Sequence, residues 1–307
     1  MPKISVCIPV YNVEKFIRRC LESVLNQSVE DIEVVVVNDC TPDHSMEIVR
    51  EFAQKDKRIK MLENQQNRGL MITRRVGYMA ATGDYITFCD SDDTLPAGAL
   101  EALYNEAVKT DADIVSGVIE YVSVTAERSR WKNRLSYGND KISVFKSLLT
   151  DEFPHNLYAR LYKSALIQNY EYETYEHATN GEDGMLFYQV IEHVGHVATI
   201  DKVVYEYRQN VESSTHVRFK DHALRSIAQL NALRIRIATK YPKLSKLAYR
   251  KVVKNYWSLK LEGYNIKEHY LAVGLENYSL LHLFVTQPLR IFLRILAKSI
   301  ILNISKR

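Results

Sequence analysis

Cysteine is scarce in this chain of 307 residues, which has only Cys7, Cys20, Cys40 and Cys89. No two of them form a C-x-x-C pair, and their spacing fits no zinc pattern. Cys7 and Cys89 lie inside apolar, strand-like runs, where a reduced thiol behaves as a small hydrophobe. That usage fits a reducing cytoplasm. No stretch reaches the roughly 18 uncharged apolar residues that a membrane-spanning helix needs. Met1-Pro2-Lys3 runs straight into an apolar segment, so no signal peptide is expected. Internal repeats and low-complexity tracts are also absent. With 46% hydrophobic and 25% charged residues, the composition is that of an ordered globular protein. Its length suits one large domain with an appendage, or two modest domains.

Charge is unevenly placed. Residues 1–215 hold 33 acidic and 23 basic side chains, a net of −10, whereas residues 216–307 hold 18 basic and 4 acidic, a net of +14. An acidic body with a strongly basic tail suggests an anionic surface as the partner of the tail.

The first half alternates strand and helix patterns. Ile4 to Val10, Ile32 to Val37, Ile59 to Leu62 and Tyr85 to Phe88 read as strands. Phe16 to Leu25, Met46 to Phe52 and Met71 to Ala81 repeat at helical spacing between them. Such alternation predicts a mostly parallel α/β sheet that binds its ligand beyond the carboxyl ends of the strands. Asn12, Asp39, Arg68 and Asp90 all fall in segments that follow predicted strands. Further on, Ala97 to Val108 and Glu182 to Val194 read as helices, Ala112 to Tyr121 as a strand, and Val197 to Arg208 as one or two strands. Residues 123–140 read as an irregular surface excursion, and the pattern from about Asp221 onward is helical.

Asp90-Ser91-Asp92-Asp93 follows an apolar strand. Carboxylates this close repel one another unless a cation neutralises them. Oxygen ligands at a strand end suit magnesium or manganese bridging to substrate phosphates. An acidic turn capping the helix that starts near Pro96 fits the spacing equally well, and the strand context favours the metal. Asp183, at the head of an amphipathic helix, is open to two readings: a proton acceptor, or a partner of the helix dipole. Arg208 is likewise either a phosphate ligand or an ordinary surface arginine. The four histidines 155, 177, 193 and 196 have no coherent ligand spacing. Tyr170, Tyr172 and Tyr175, interleaved with glutamates, form a solvated loop or the rim of a sugar site.

Ile4 to Asn12, Asn38-Asp39 with Asp43 and Ser45, Asn67-Arg68-Gly69-Leu70, Arg74 and Asp90-Ser91-Asp92-Asp93 occur in an order and spacing that resemble the large inverting glycosyltransferase family 2. The resemblance is strong over residues 3–120 and weaker over 150–215. It implies the GT-A nucleotide-diphospho-sugar transferase fold, with a catalytic domain over residues 1–220 and a basic helical region over 221–307. The catalytic domain divides into a nucleotide-sugar half, 1–120, and an acceptor half, 121–220.

The resemblance also implies roles. Pro9, Tyr11 and Asn12 would line the base and ribose, and Asp39 would accept a hydrogen bond from the base. An imide N–H suits that carboxylate, so a UDP-sugar leads as the donor. Arg68, Arg74, Asp90 and Ser91 would lie by the nucleotide, with Asp92, and Asp90 beside it, holding a divalent metal, Mn2+ or Mg2+. Asp93 would cap the next helix or support the site. Asp183, in Gly181-Glu182-Asp183, matches the family's general base. Tyr205 to Arg208 with Ser213-Ser214 resembles a segment that closes over the pyrophosphate. Arg75, Val76 and Cys40-Thr41-Pro42 depart from the usual residues of the family.

The expected activity is transfer of a sugar to a hydroxyl of a saccharide or lipid-linked saccharide, in bacterial surface polysaccharide synthesis. A nucleotidyltransferase usually shows a Gly-rich loop after the first strand, where this chain reads Tyr11-Asn12-Val13-Glu14. A non-catalytic sugar-nucleotide binder would not need Asp92 or Asp183. Nucleic acid is not an expected partner, given the acidic body and the absence of recognition motifs. Arg290, Arg294 and Lys298 share one face of the helical pattern over residues 288–307, among Leu289, Phe292, Leu293, Leu296 and Ile300. That pattern suits a helix lying on an anionic membrane surface, which would place the protein on the cytoplasmic side of the cell membrane. It also suits a helix packed on the domain with its basic face in water.

Overall fold

The computed structural model describes residues 3–209 and 221–279, with residues 282 and 285–287. The tail at 288–307 and the Ser213-Ser214 pair lie outside the described residues.

Four strands form the parallel part of one sheet. β1 (Ile4–Val10) lies between β2 (Ile32–Asn38) and β4 (Tyr85–Phe88), and β3 (Ile59–Glu63) pairs with the outer side of β2. Ile4 is level with Ile32 on one side and with Tyr85 on the other. These strands are rich in valine and isoleucine because helices cover both faces. The covering follows the two-residue period. Cys7, Val35, Val37, Ile86 and Phe88 face one core, and Val6, Ile8, Val34 and Val36 face the other. The second core is closed by α1 (Ile17–Leu25), α2 (Ser45–Lys55) and α4 (Ala99–Thr110), while α3 (Leu70–Ala80) packs on the first.

Beyond β4 the sheet continues through one reversed strand. β5 (Ile114–Val122) and β7 (Arg160–Lys163) pair antiparallel, and β7 runs antiparallel to β4. β8 (Val197–Arg208) then lies parallel to β5, with the register broken at Ser116/Val118 and Val118/Ile119. The sheet is therefore mostly parallel, as expected, with β7 and the short β6 (Arg128–Trp131) running the other way. β6 interrupts the stretch expected to be irregular. All four of its side chains are exposed, so no hydrophobic period marks it; only its ladder to β5 makes it a strand.

α5 (Lys141–Leu149) and α6 (Ser164–Gln168) flank β7, and α7 (Glu182–Ile191) precedes β8. After residue 220 come α8 (Asp221–Lys240), α9 (Ser245–Leu261) and α10 (Lys267–Ala272). Leu230, Leu233, Ile237 and Ala238 of α8 belong to the same core as α7. The opposite side of α8 joins α9 and α10 around Tyr256, Trp257, Tyr270 and Tyr278. No described helix is long and apolar enough to cross a membrane.

Candidate active site

The carboxyl ends of β1, β2 and β3 open onto three loops that are tied together. Asn12 takes a left-handed conformation, φ 59, and its N–H donates to Thr41 Oγ1 at 2.8 Å. Val13 N–H donates to Ser45 Oγ and Glu14 N–H to Asp43 Oδ2. Tyr11, 46% exposed, stands free of this ladder, while Pro9 is buried in β1. Asp39 is buried and accepts from Asn64 Nδ2 at 2.7 Å, Arg68 N at 2.9 Å and Gly69 N at 2.9 Å. Its contacts within the chain thus order the 64–69 loop. Gly69 has φ +84, and a Cβ there would sit 2.8 Å from the His177 backbone, so only glycine fits. The Arg68 guanidinium turns to Glu176, 2.8 Å away.

Arg74 of α3 is 2% exposed and joins two carboxylates. Its Nη2 donates to Asp90 Oδ1 at 2.6 Å, its Nη1 donates to Asp183 Oδ1, and Glu182 Oε1 lies 3.8 Å away. Leu157 N–H donates to the other Asp183 oxygen at 3.3 Å. Burial disfavours the guanidinium cation, yet Asp183, Asp90 and Glu182 outweigh it and raise the Arg74 pKa. For Asp183 burial dominates. With Glu182 and Asp90 adding, and Arg74 opposing, it pushes the carboxyl up to about 7.

The third carboxylate of the turn is taken up structurally. Asp93 accepts from Tyr205 Oη and from Arg208 N, each at 2.8 Å, and Asp90 N–H donates to the same tyrosine oxygen at 3.1 Å. Burial, reinforced by Asp92 and Asp90, holds the Asp93 carboxyl well above the usual range. Asp93 therefore fastens the turn to β8 and does not cap the next helix. α4 begins at Ala99, preceded by Gly98, with no side-chain cap. Tyr158 stacks on Tyr205 with centroids 4.4 Å apart, and Thr94 and Glu206 exchange backbone hydrogen bonds. Arg208 Nη2 donates to Glu206 at 2.7 Å.

Residues that the sequence did not reveal also build the site. Arg19 of α1 donates to the Asp92 carbonyl at 2.6 Å, and burial first, then Arg208, lowers its pKa. The Arg19 guanidinium thus lies within electrostatic reach of Asp92, Asp93 and Arg208. Nothing in the helical period of α1 marks Arg19; only the packing of α1 under the turn does. Ser91 is buried at the centre of the same turn. Tyr172 is not part of any rim, since it is buried with its hydroxyl on Leu166 O. Tyr170 stacks on His193 at 3.6 Å. All four cysteines are free.

Asp90 and the half-exposed Asp92 offer a divalent cation two carboxylates at the end of β4. Among the described residues no three His, Cys, Asp or Glu side chains gather to enclose an ion. Two carboxylates fit magnesium or manganese, which retain water and substrate phosphates as their remaining ligands.

A family model described as glycosyl transferase family 2 matches residues 5–169. Glycosyltransferase GlyA of Streptococcus pneumoniae is 36% identical over 217 residues, which cover 67% of this chain and 30% of GlyA. The fold resembles Staphylococcus aureus TarS 1–349 in complex with UDP-GlcNAc, with TM-score 0.70 and 17% identity over 98% of this chain and 89% of that one. It also resembles the mannosyltransferase PcManGT from Pyrobaculum calidifontis in complex with GDP-Man and Mn2+, with TM-score 0.56 and 17% identity over 99% and 86% of the two chains. These structural likenesses bear out the expected GT-A fold.

Proposed function

The chain belongs to glycosyl transferase family 2, and we propose that it moves a sugar, with inversion, from a UDP-sugar to a hydroxyl of a saccharide or lipid-linked saccharide. The observation that carries this reading is the single Arg74 guanidinium shared by Asp90, at the end of β4, and Asp183, at the start of α7. One carboxylate faces the donor's diphosphate and the other the acceptor. The UDP complex of TarS supports the choice of nucleotide.

In this reading Asp183 takes the proton of the acceptor hydroxyl while that oxygen attacks the anomeric carbon. The bond from the sugar to the diphosphate breaks in the same displacement, and the nucleoside diphosphate leaves with the electron pair. A carboxyl held near neutrality suits this work, because it is ionised enough to accept a proton and basic enough to keep it. Arg74 orients the carboxylate, and Leu157 N–H steadies its second oxygen. Asp92 and Asp90 would hold Mn2+ or Mg2+, which supplies positive charge to the departing diphosphate. Arg19 and Arg208 lie beside that turn and add cationic character on the phosphate side. Pro9, Tyr11 and Asn12 form the wall for base and ribose, and Asp39 orders the loop beneath it.

The deciding experiment is a panel of nucleotide sugars with purified protein and manganese, following release of nucleoside diphosphate. Asp92→Ala and Asp183→Ala each abolish turnover, and UDP binding survives better in the second. Turnover indifferent to a chelator overturns the metal, and wild-type turnover in Asp183→Ala overturns the base. The basic tail belongs to the same proposal, as an anchor on an anionic membrane surface beside lipid-linked acceptors. Truncation before Pro288 then moves the protein to the soluble fraction; an unchanged distribution refutes the anchor.

A further inference from the structure

Helices beyond residue 220 approach Asp183 from two directions. α8 lies against the start of α7. A Cβ on Gly184 would meet His155 at 2.8 Å and Leu230 at 2.9 Å, and one on Gly181 would meet Ser226 O at 3.4 Å. Ser226 Oγ also accepts from Thr179 N at 3.2 Å. The two glycines flanking Glu182-Asp183 are what allow α8 to come this close.

The second approach is through residues 151–159, the segment joining α5 to β7. It delivers Leu157 N–H to Asp183 Oδ2. Both ends of the segment are left-handed at non-glycine residues, Asp151 with φ 64 and Ala159 with φ 59. Such conformations persist only where surrounding contacts over-determine them. Near the β7 end, Tyr162 Oη donates to Leu157 O at 2.9 Å and Arg160 Nη2 to Pro154 O at 2.6 Å. At the other end Asp151 accepts from Lys251 Nζ of α9, with Lys254 Nζ 3.4 Å away. The Lys251 side chain is only 9% exposed while Asp151 is 50% exposed. An ammonium is buried at that cost only against a partner, so the tether is directed at Asp151.

We propose that Lys251 is a positioning residue for the transfer: by pinning Asp151 it holds the strained 151–159 segment where Leu157 N–H meets Asp183. The C-terminal helices are then part of the catalytic apparatus. The proposal rests on the reading of Asp183 as the base, and its test separates the two.

Turnover is followed as UDP release from whichever UDP-hexose the donor panel selects, with manganese present, and affinity by calorimetric titration with UDP. Lys251→Met lowers kcat by about tenfold or more, the scale of a misplaced reacting group, with the Kd for UDP within about twofold of the parent. Lys251→Arg restores most of kcat. Asp151→Asn, on an exposed partner, reproduces the loss without burying anything new, and the double variant loses no more than either single one, as coupled residues do. Asp183→Asn is measured alongside. Full kcat in both Lys251→Met and Asp151→Asn with a dead Asp183→Asn overturns the positioning role alone, and so does a parallel loss of UDP affinity and kcat. Turnover in Asp183→Asn overturns the base itself.

Discussion

Asp90 and Asp183, 93 residues apart in the chain, are hydrogen-bonded to the two terminal nitrogens of one buried guanidinium, that of Arg74. A lysine presents a point charge and cannot span two carboxylates in a fixed fork. Arg74→Lys is therefore expected to lower kcat at least about a hundredfold, or ~2.7 kcal/mol of barrier, although the charge is kept. A steady-state comparison of the two proteins at saturating donor checks this, and kcat within about threefold of the parent defeats it.

The pH profile follows from the proposed role of Asp183 as the base. Its carboxyl is pushed up to about 7 by burial, with Glu182 and Asp90 adding. A base works only when deprotonated, so kcat/KM should rise with pH through about 7 and level off above it. Replacing Glu182 by Gln removes one of the raising charges and moves the inflection to lower pH. A profile flat from pH 5.5 to 8.5 rules out Asp183 as the titrating base.

Tyr205 links two members of the acidic turn, accepting from Asp90 N and donating to Asp93. Tyr205→Phe leaves a buried carboxyl short of a donor and a backbone N–H short of an acceptor. The cost is of the order of ~1–3 kcal/mol, to be read as a lower midpoint in urea, accompanied by weaker UDP binding. Unchanged stability would show that water replaces the hydroxyl fully.

His155 predicts a stability effect of defined sign. Burial, and then Arg234 and Lys251, push its imidazole down to about 3, whereas an unfolded histidine titrates near ~6.5. Between those values the unfolded chain binds the extra proton. Stability is thus fully present above the unfolded value and falls as pH drops below it, with a slope of up to ~1.4 kcal/mol per pH unit. His155→Gln should flatten that part of the stability curve in denaturant titrations from pH 4 to 7; an unaltered slope assigns the acid sensitivity to other groups.

Much of the fold was legible in the chain because β1, β2 and β4 are largely apolar, β-branched runs and α1 and α3 repeat at helical spacing. β6 was not, since Arg128 to Trp131 is exposed on both faces and carries no pattern. Asp90, Asp92 and Asp183 were readable as acidic residues at element ends. Asp93 is ambiguous in the sequence because local spacing does not distinguish a helix cap from a carboxylate taken up by a tyrosine more than a hundred residues on.

By itself the sequence determined the alternation of strands and helices, the acidic turn after β4 and the family to which the chain belongs, because all three are carried by neighbours in the chain. Only the tertiary structure decided that Arg74 joins Asp90 to Asp183, that Arg19 reaches the Asp92 carbonyl, and that Lys251 holds the segment touching Asp183. Those contacts span tens to more than a hundred residues, and side chains so far apart are brought together by packing, which no local period encodes.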